Sequence, residues 1–209
     1  RRQKKRICVS GREKDSGGAK TTTTTGDEEE EEEEAKIGFV ATMGGLHRGH
    51  VSLIEIALER SDFVVVSVYV NPMQFAPNED FEAYPRTLKE DVEKIASLKE
   101  NHRVCVFAPK ESLFGKGMDP SECARVSVPN VSRGLCATTR PHFFGGVATV
   151  VLKLLNIVKP DVAVFGRKDY QQLRVIEKMV RDLNVDVEIL SGDTVREPVN
   201  EEASDADAC

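Results

Sequence analysis

The sequence from Ile37 to His50 reads IGFVATMGGLHRGH, and this stretch decides the fold. Its first residues, 37–41, form a short apolar run that predicts a buried strand. Two glycines follow, and apolar residues then recur over 50–60 at the spacing of a helix. A strand, a glycine-containing turn and a helix therefore follow one another directly.

The same alternation continues along the chain. Apolar runs predict further strands at 63–70, 104–108, 161–165 and 185–190. Helical spacing predicts further helices at 88–98, 147–158 and 171–183. Strands that are apolar throughout and alternate with helices indicate a parallel sheet covered on both faces. We predict an α/β fold with a doubly wound, Rossmann-like parallel sheet and a nucleotide crevice at the carboxyl ends of its strands.

The two ends of the chain differ from this middle part. Residues 1–35 combine a basic cluster, a threonine run and an acidic block, and such a stretch buries too little apolar surface to offset its ordering entropy. Residues 199–209 are acidic and equally tail-like. The predicted organisation is a disordered tail over 1–35, a nucleotide-binding domain over 36–198 and a short acidic tail over 199–209.

Composition excludes several classes of partner. The net charge of −6 divides into −1 for residues 1–36 and −4 for 199–209, which leaves −1 for 37–198 and no sign of a basic face for nucleic acid. The five cysteines are dispersed and odd in number, which favours reduced thiols in a cytoplasmic protein. No apolar run approaches the roughly 20 residues of a membrane span. We expect neither nucleic acid nor a membrane as a partner.

Two histidines follow the glycine turn. His47 and His50 flank Gly49 at the predicted start of a helix, where free backbone N–H groups point into the same crevice. The glycines allow a tight turn close to a ligand, and imidazoles can donate hydrogen bonds to a phosphate in a transition state. Two other interpretations are a zinc-binding pair, which lacks an obvious third ligand, and two ordinary histidines at a helix cap.

The second predicted strand ends in amide side chains. The segment Val70–Phe75 reads VNPMQF, and its Asn71 and Gln74 could bind hydroxyls or a carboxylate. Asn-Pro is also a common turn starter, which is the competing interpretation. Further along, Thr87 is a suitable N-cap for the next helix, with Glu90 at the third helical position to complete a capping box.

Two later segments also precede predicted helices. Phe165–Gln172 reads FGRKDYQQ and places Lys168 within reach of phosphates, with Asp169 at a helix start where carboxylates are favourable. Arg140–Val147 reads RPHFFGGV, and its glycines lead towards a helix that could hold an anion. A well-capped helix with a solvated Lys-Asp pair, and a surface arginine beside a flexible joint, are the alternatives. Segments in such places converge on one crevice of a doubly wound sheet.

These motifs, in this order, resemble the pantothenate synthetase (pantoate–β-alanine ligase) family over residues 37–198. The matching segments are Ala41–His50, Val70–Arg86, Gly146–Val151 and Phe165–Gln172. Four long motifs in order are far more specific than any one of them. The pair Phe143-Phe144 is more similar to the plant or algal branch than to bacterial members.

The resemblance implies a nucleotidyltransferase superfold and an ATP-dependent ligase. Pantoate and ATP would give pantoyl adenylate and pyrophosphate, β-alanine would then release AMP, and Mg²⁺ would screen the phosphates. A cytoplasmic homodimer is implied as well. Carried over, the residues for ATP are Met43, His47, Gly49, His50, Gly166, Lys168 and Asp169, of which His47, His50 and Lys168 would be catalytic. Those for pantoate are Asn71, Gln74, Arg140 and Gln172.

The chain also departs from the family pattern. Ala41 replaces a proline, and Arg48 and Arg167 each replace a glutamate. Beyond Pro198 the family continues through a Ser-Ser-Arg segment into a smaller C-terminal domain that the sequence does not match, so we expect the site to be present on one side only. Two further hypotheses stay open: a catalytically weakened or non-catalytic binding protein, and a nucleotidyltransferase of this superfold that acts on another substrate.

Overall fold

The computed structural model describes residues 34–75, 81–110, 112–115, 122–132 and 143–196. The tails predicted over 1–35 and 199–209 lie outside the described residues, apart from residues 34 and 35. Arg140 also lies outside them.

Strands and helices alternate throughout the described chain. The strands are β1 (Ile37–Thr42), β2 (Phe63–Val68), β3 (Val104–Phe107), β4 (Val162–Gly166) and β5 (Glu188–Gly192). The α-helices are α1 (Arg48–Arg60), α2 (Leu88–Ala96), α3 (Phe143–Val158) and α4 (Tyr170–Asp182). Short 3-10 turns cover Pro72–Gln74, Asn101–Arg103 and Arg167–Asp169.

The five strands form one parallel sheet in the order β3-β2-β1-β4-β5. The chain runs outward from β1 through β2 to β3 and then returns to β4 on the other side of β1. The loops that follow β1 and β4 therefore leave in opposite directions, which opens a crevice at the carboxyl ends of these two strands. The predicted doubly wound α/β fold is confirmed.

Alternate residues of the strands pack into two cores, one on each face of the sheet. Val40 and Val64 belong to the core that α1 covers with Ile54. Phe39 and Phe165 belong to the opposite core, which α3 and α4 cover. Because the middle strands β1, β2 and β4 are largely buried on both faces, their sequences are mostly apolar.

Helix α3 begins at Phe143, four residues before the predicted start, so Gly145 and Gly146 lie inside its first turn. The alternative interpretation, in which these glycines form a flexible joint in front of the helix, is wrong. A Cβ on Gly146 would lie 2.3 Å from the carbonyl oxygen of Met73, so only glycine lets α3 approach the turn after β2. Asn71 Nδ2 donates to the Gly146 carbonyl at 3.2 Å and fixes this approach.

The helix α2 does not use the predicted capping box. Thr87 is its N-cap, but the Thr87 side chain makes no cap hydrogen bond. The Thr87 hydroxyl instead lies 3.4 Å from a carboxylate oxygen of Asp91. The hydroxyl donates to this buried carboxylate and accepts no backbone N–H of the helix, so the prediction for Thr87 and Glu90 is wrong in this respect.

The last strand begins three residues later than predicted, at Glu188. Asn184 has a φ of 52°, and the Val185 amide donates to the Val180 carbonyl at 2.9 Å. These residues therefore end helix α4 with a left-handed turn and are not available to the sheet. No helix in the described part of the chain is long and apolar enough to cross a membrane.

The two glycines of α3 give a direct test of this packing. Gly146→Ala is expected to lower the free energy of unfolding by about 1–3 kcal/mol, because its Cβ would overlap the Met73 backbone. In the matched control Gly145→Ala, the new Cβ would lie 3.6 Å from its nearest neighbour, the Val126 carbonyl oxygen. That control should be neutral or more stable by up to about 1 kcal/mol. Urea unfolding measures both, and equal stability of the two variants would contradict the close approach.

Candidate active site

A cavity of about 400 Å³ lies at the carboxyl ends of β1 and β4, where the topology predicts a crevice. Residues from the ends of three strands and from the starts of α1, α3 and α4 line it. The sequence-predicted site residues that line it are Met43, His50, Asn71, Gln74, Asp169 and Gln172. Four others do not line it: His47, Gly49, Gly166 and Lys168.

The turn between β1 and α1 contains two residues with left-handed backbone, Gly44 with φ 88° and Gly45 with φ 63°. Its backbone N–H groups are bound within the protein. The Thr42 hydroxyl accepts from Gly44 N at 3.2 Å, and the Asp91 carboxylate accepts from Gly45 N at 3.0 Å and from Leu46 N at 2.7 Å. The glycines thus allow the turn as expected, but its N–H groups do not face a ligand.

The two histidines form the N-terminal cap of α1. His47 Nδ1 accepts from Gly49 N at 3.1 Å, and His50 Nδ1 accepts from His47 N at 3.4 Å. A ring nitrogen that accepts a hydrogen bond carries no proton, so the neutral rings hold their protons on Nε2. The cap therefore leaves the Nε2–H of each ring as the group that can donate a hydrogen bond. The ring centroids are 4.1 Å apart.

This arrangement bears on the two other interpretations of the histidine pair. Each Nδ1 is occupied by a backbone N–H, so zinc could bind a ring through Nε2 only if the proton moved to Nδ1 and the cap hydrogen bond were lost. Among the described residues no group of three histidine, cysteine, aspartate or glutamate side chains is arranged to hold a metal ion. Both histidines do cap the helix, and the same hydrogen bonds orient both rings.

His50 is neutral at physiological pH. Its pKa is lowered from 6.5 to about 4, chiefly because burial disfavours the charged ring and secondly because of the charge of His47. Lys168 acts weakly in the same direction, while Asp91 and Asp169 oppose the shift. Protonation of Nδ1 would also break the hydrogen bond from His47 N. The ring is therefore held as a neutral hydrogen-bond donor.

The amides after β2 form a connected network. Asn71 is 1% exposed, and its Nδ2 donates to Gln74 Oε1 at 3.0 Å as well as to the Gly146 carbonyl. Its Oδ1 accepts from Met73 N at 3.1 Å, which makes it the N-cap of the 3-10 turn. Gln74 Nε2 donates to the sulfur of Met43 at 2.7 Å. The turn-starter interpretation of Asn71 is thus correct, and its donors are used to orient Gln74.

The segment after β4 brings the Asp169 carboxylate to the cavity and places Lys168 in the same 3-10 turn, outside the cavity lining. Lys168 and Asp169 are both exposed in the 3-10 turn, and Asp169 is the N-cap of α4 without making a side-chain cap hydrogen bond. The alternative of a well-capped helix is therefore wrong here. Arg167 ties the turn to the end of β5, donating to Ser191 Oγ at 3.0 Å and to Asp193 Oδ1 at 2.7 Å.

One wall of the cavity is apolar. Its residues come from the inner face of α3 and the end of β4: Val147, Val150, Val151, Leu154 and Phe165. Helical spacing marks the α3 residues as core, and nothing in the sequence distinguishes a core residue that borders a cavity from one that does not. Sequence reasoning missed this wall for that reason.

Sequence reasoning also missed Tyr84 and Asp91. Tyr84 lines the cavity and packs edge-on against Phe75, with ring centroids 5.7 Å apart. Burial, aided by the Asp91 carboxylate, raises the pKa of the Tyr84 hydroxyl. Asp91 is fully buried four residues before the buried Ile95. An acidic residue on the buried face of an amphipathic helix was the available signal.

Comparison with known proteins gives consistent matches. A family model described as pantoate-beta-alanine ligase matches residues 19–202. Pantothenate synthetases of Pseudomonas aeruginosa and Shewanella sediminis are 55% and 52% identical to the chain over 162 residues, which are 77% of this chain and 56% of each relative. The chain thus spans little more than half the length of these curated relatives.

Solved structures agree with the sequence matches. The pantothenate synthetase of Thermus thermophilus has a TM-score of 0.71 and 46% identity, covering 78% of this chain and 57% of that chain. A pantoate-beta-alanine ligase of Francisella tularensis, complexed with beta-gamma ATP and beta-alanine, has a TM-score of 0.70 and 39% identity over 78% of this chain and 61% of that chain.

The environment of His50 leads to a prediction about its titration. In NMR spectra of the chain, the His50 imidazole should titrate near pH 4. Between pH 6.5 and 4 the unfolded chain binds this proton and the folded chain does not, so the free energy of unfolding should fall as the pH is lowered through this range. His50→Gln should make that fall smaller. A measured His50 pKa at its ordinary value would mean that the ring is solvated, which would contradict its burial in this structure.

Proposed function

The chain belongs to the pantoate–β-alanine ligase family, and we propose that it binds ATP and pantoate and condenses pantoate with β-alanine. The observation that carries this proposal is the composition of the cavity. A neutral histidine donor, an oriented amide and an apolar wall line it, and the Lys168 cation lies outside the lining in the turn after β4, at the same edge of the sheet. Phosphates, hydroxyls and methyl groups each find a matching surface there.

The reaction proceeds in two balanced steps. In the first, a pantoate carboxylate oxygen forms a bond to the α-phosphorus of ATP, and the bond from that phosphorus to pyrophosphate breaks. In the second, the β-alanine amine forms a C–N bond at the activated carbonyl carbon, the C–O bond to AMP breaks, and the amine loses a proton. Both steps depend on positioning and charge stabilisation and require no protein nucleophile.

The phosphate side of the site is assigned to three residues. His50 Nε2–H would donate to a phosphate oxygen as charge grows on it, with His47 beside it as a second donor. Lys168 would neutralise the phosphates from the opposite side, because its ammonium is exposed and within electrostatic range of His50. Mg²⁺ would arrive with the nucleotide and screen the phosphate charge, since it is bound largely by phosphate oxygens and water.

The nucleotide would also contact the turns around these residues. Met43 and Asp169 line the cavity, and we assign Asp169 to the ribose. Gly166 has only Leu53 Cδ1 at 3.9 Å from where its Cβ would be, so a ligand can approach its backbone. A Cβ on Gly49 would lie 2.9 Å from the His47 ring, so Gly49 serves the nucleotide by leaving room for that cap.

Pantoate would occupy the apolar end of the cavity. Gln74 and Gln172 would bind its hydroxyls and carboxylate, and the two methyl groups on its quaternary carbon would lie against Val147 and Val150. Asn71 would act through Gln74, because both its N–H donors are already bound within the protein. Pantoate contact by Arg140, a homodimer and a cytoplasmic location remain predictions from the family resemblance.

The proposal is tested by AMP formation from ATP, Mg²⁺, pantoate and β-alanine, with pantoate and β-alanine omitted in turn. AMP should require both, and His50→Ala should lower kcat by about 10²–10³-fold, the usual effect of removing one transition-state donor. His102→Ala, in the 3-10 turn before β3, is the matched control and should keep full activity.

Other results of that assay would decide between the hypotheses. Saturable binding of ATP or pantoate by calorimetry without AMP would favour the binding protein over the ligase. If neither ligand binding nor AMP formation is detected, the assignment of the site to this chain is overturned.

The apolar wall gives a separate prediction about substrate shape. 2,4-Dihydroxybutanoate, which lacks both methyl groups of pantoate, should lose about 1.6 kcal/mol of binding, or about 15-fold in affinity, at ~0.8 kcal/mol for each buried carbon. Val150→Thr keeps the volume of the side chain but adds a hydroxyl, so it should reduce the ratio of the affinity for pantoate to the affinity for 2,4-dihydroxybutanoate. Calorimetry with pantoate and with 2,4-dihydroxybutanoate measures the two affinities. Equal affinities would place the methyl groups of pantoate away from α3.

A further inference from the structure

A buried carboxylate lies behind the active-site turn and has no part in the chemistry above. Asp91, in the first turns of α2, has 0% of its surface exposed. Burial of a charged carboxylate costs several kcal/mol unless good hydrogen bonds compensate it. The hydrogen-bond partners of Asp91 therefore indicate the role of this buried charge.

The Asp91 carboxylate accepts hydrogen bonds from two successive backbone N–H groups of the β1–α1 turn. Oδ2 lies 3.0 Å from Gly45 N, and Oδ1 lies 2.7 Å from Leu46 N. Successive N–H groups of a left-handed turn form a concave anion site, which many proteins use for phosphate. Here the Asp91 carboxylate occupies that site, so helix α2 binds the turn through this side chain.

A second residue of α2 binds the same turn. Lys94, about one helical turn after Asp91, donates from Nζ to the Leu46 carbonyl oxygen at 2.6 Å. Both backbone polar groups of Leu46 are thus bound by one helix. The Leu46 side chain is 1% exposed in the core that contains Ile54 and Ile95. Leu46 is therefore fixed on all sides, and His47 is the next residue.

We propose that Asp91 is a positioning residue that fixes the backbone from which His47 and His50 present their Nε2–H donors. The inference rests on the proposed function only for its effect on turnover. His47 is the N-cap of α1 and His50 its third residue, so a shift of Leu46 would displace both rings together. A misplacement of about 1 Å at such groups can cost about 10²-fold in rate.

The electrostatic surroundings of His50 agree with this placement. Asp91 and Asp169 raise the His50 pKa, whereas His47 and Lys168 lower it. Removal of the Asp91 charge should therefore lower the His50 pKa further below about 4. This change reports on the carboxylate itself, because a packing defect alone would not produce it.

Asp91→Asn is the variant that tests the inference. The asparagine keeps the size of the side chain but offers one acceptor where the carboxylate offers two, and it turns an N–H donor towards one backbone N–H. Asp62→Asn is the matched control. The Asp62 Oδ2 also accepts a backbone N–H, from Lys36 at 2.8 Å, but it lies at the amino-terminal edge of the sheet.

The first readout is NMR of the full chain and does not depend on turnover. In Asp91→Asn, hydrogen exchange of the Gly45 and Leu46 amides should accelerate at least tenfold, while the β1 amides keep their protection. The His50 pKa should fall. In Asp62→Asn both should stay unchanged. Unaltered exchange at Gly45 and Leu46, or an unaltered His50 pKa, would overturn the inference.

The second readout is the AMP assay. Asp91→Asn should lower kcat by about 10²-fold and leave the KM for β-alanine within about twofold, whereas Asp62→Asn should retain the parent kcat. Full kcat in Asp91→Asn would overturn the inference. If the unsubstituted chain forms no AMP, the proposed function fails and the NMR result alone decides the role of Asp91.

Lys94→Met covers the case in which Asp91→Asn does not fold. It removes only the hydrogen bond to the Leu46 carbonyl and keeps the buried carboxylate. It should lower kcat by about tenfold and accelerate exchange at Leu46, with no change in the β1 amides. Parent-like exchange and kcat in Lys94→Met would count against a turn held by α2.

Discussion

β1 is hydrogen-bonded to β2 along its whole length and to β4 at Gly38 and Phe39, and all three strands are parallel. Their carboxyl ends consequently reach the same edge of the sheet. The turn that carries His47 follows β1, the turn that carries Asn71 and Gln74 follows β2, and the turn that carries Lys168 follows β4. Backbone pairing of the strands alone therefore brings all three turns to that edge. Helices on both faces cover the strands, which makes the edge the place where polar side chains can gather around a cavity.

The capping of α1 joins structure and chemistry in the same atoms. A helix start usually takes a serine, threonine, aspartate or asparagine as its N-cap, whereas here an imidazole fills that role at His47. The bond that satisfies the backbone also fixes which ring nitrogen carries the proton. A protonated His50 would lose its bond to His47 N and carry a buried charge, so the cap and the neutral donor are two aspects of one arrangement.

The sequence was sufficient for the order of elements and for six polar or nucleotide-side residues that line the cavity. Continuous apolar runs predicted the strands, and motifs at strand ends predicted His50, Gln74 and Asp169. It was not sufficient where tertiary contacts override local patterns. Gly145-Gly146 has the local pattern of a joint, and only the approach of α3 to Met73 shows why the helix includes it. Asp91 lies on the face of α2 that carries Ile95, which is a signal of burial, but only the folded structure shows that its carboxylate binds the β1–α1 turn.

The hydrogen bond from Asn71 to Gly146 joins the turn after β2 to helix α3. The same asparagine therefore binds both the side chain of Gln74 and the helix that carries the valine wall. A ligand that enters between them finds its polar and apolar contacts already in register. The entropy of ordering these groups is lost when the chain folds and not when the ligand binds. Under the proposed function, selectivity for the shape of pantoate would come from groups that are ordered before the ligand binds.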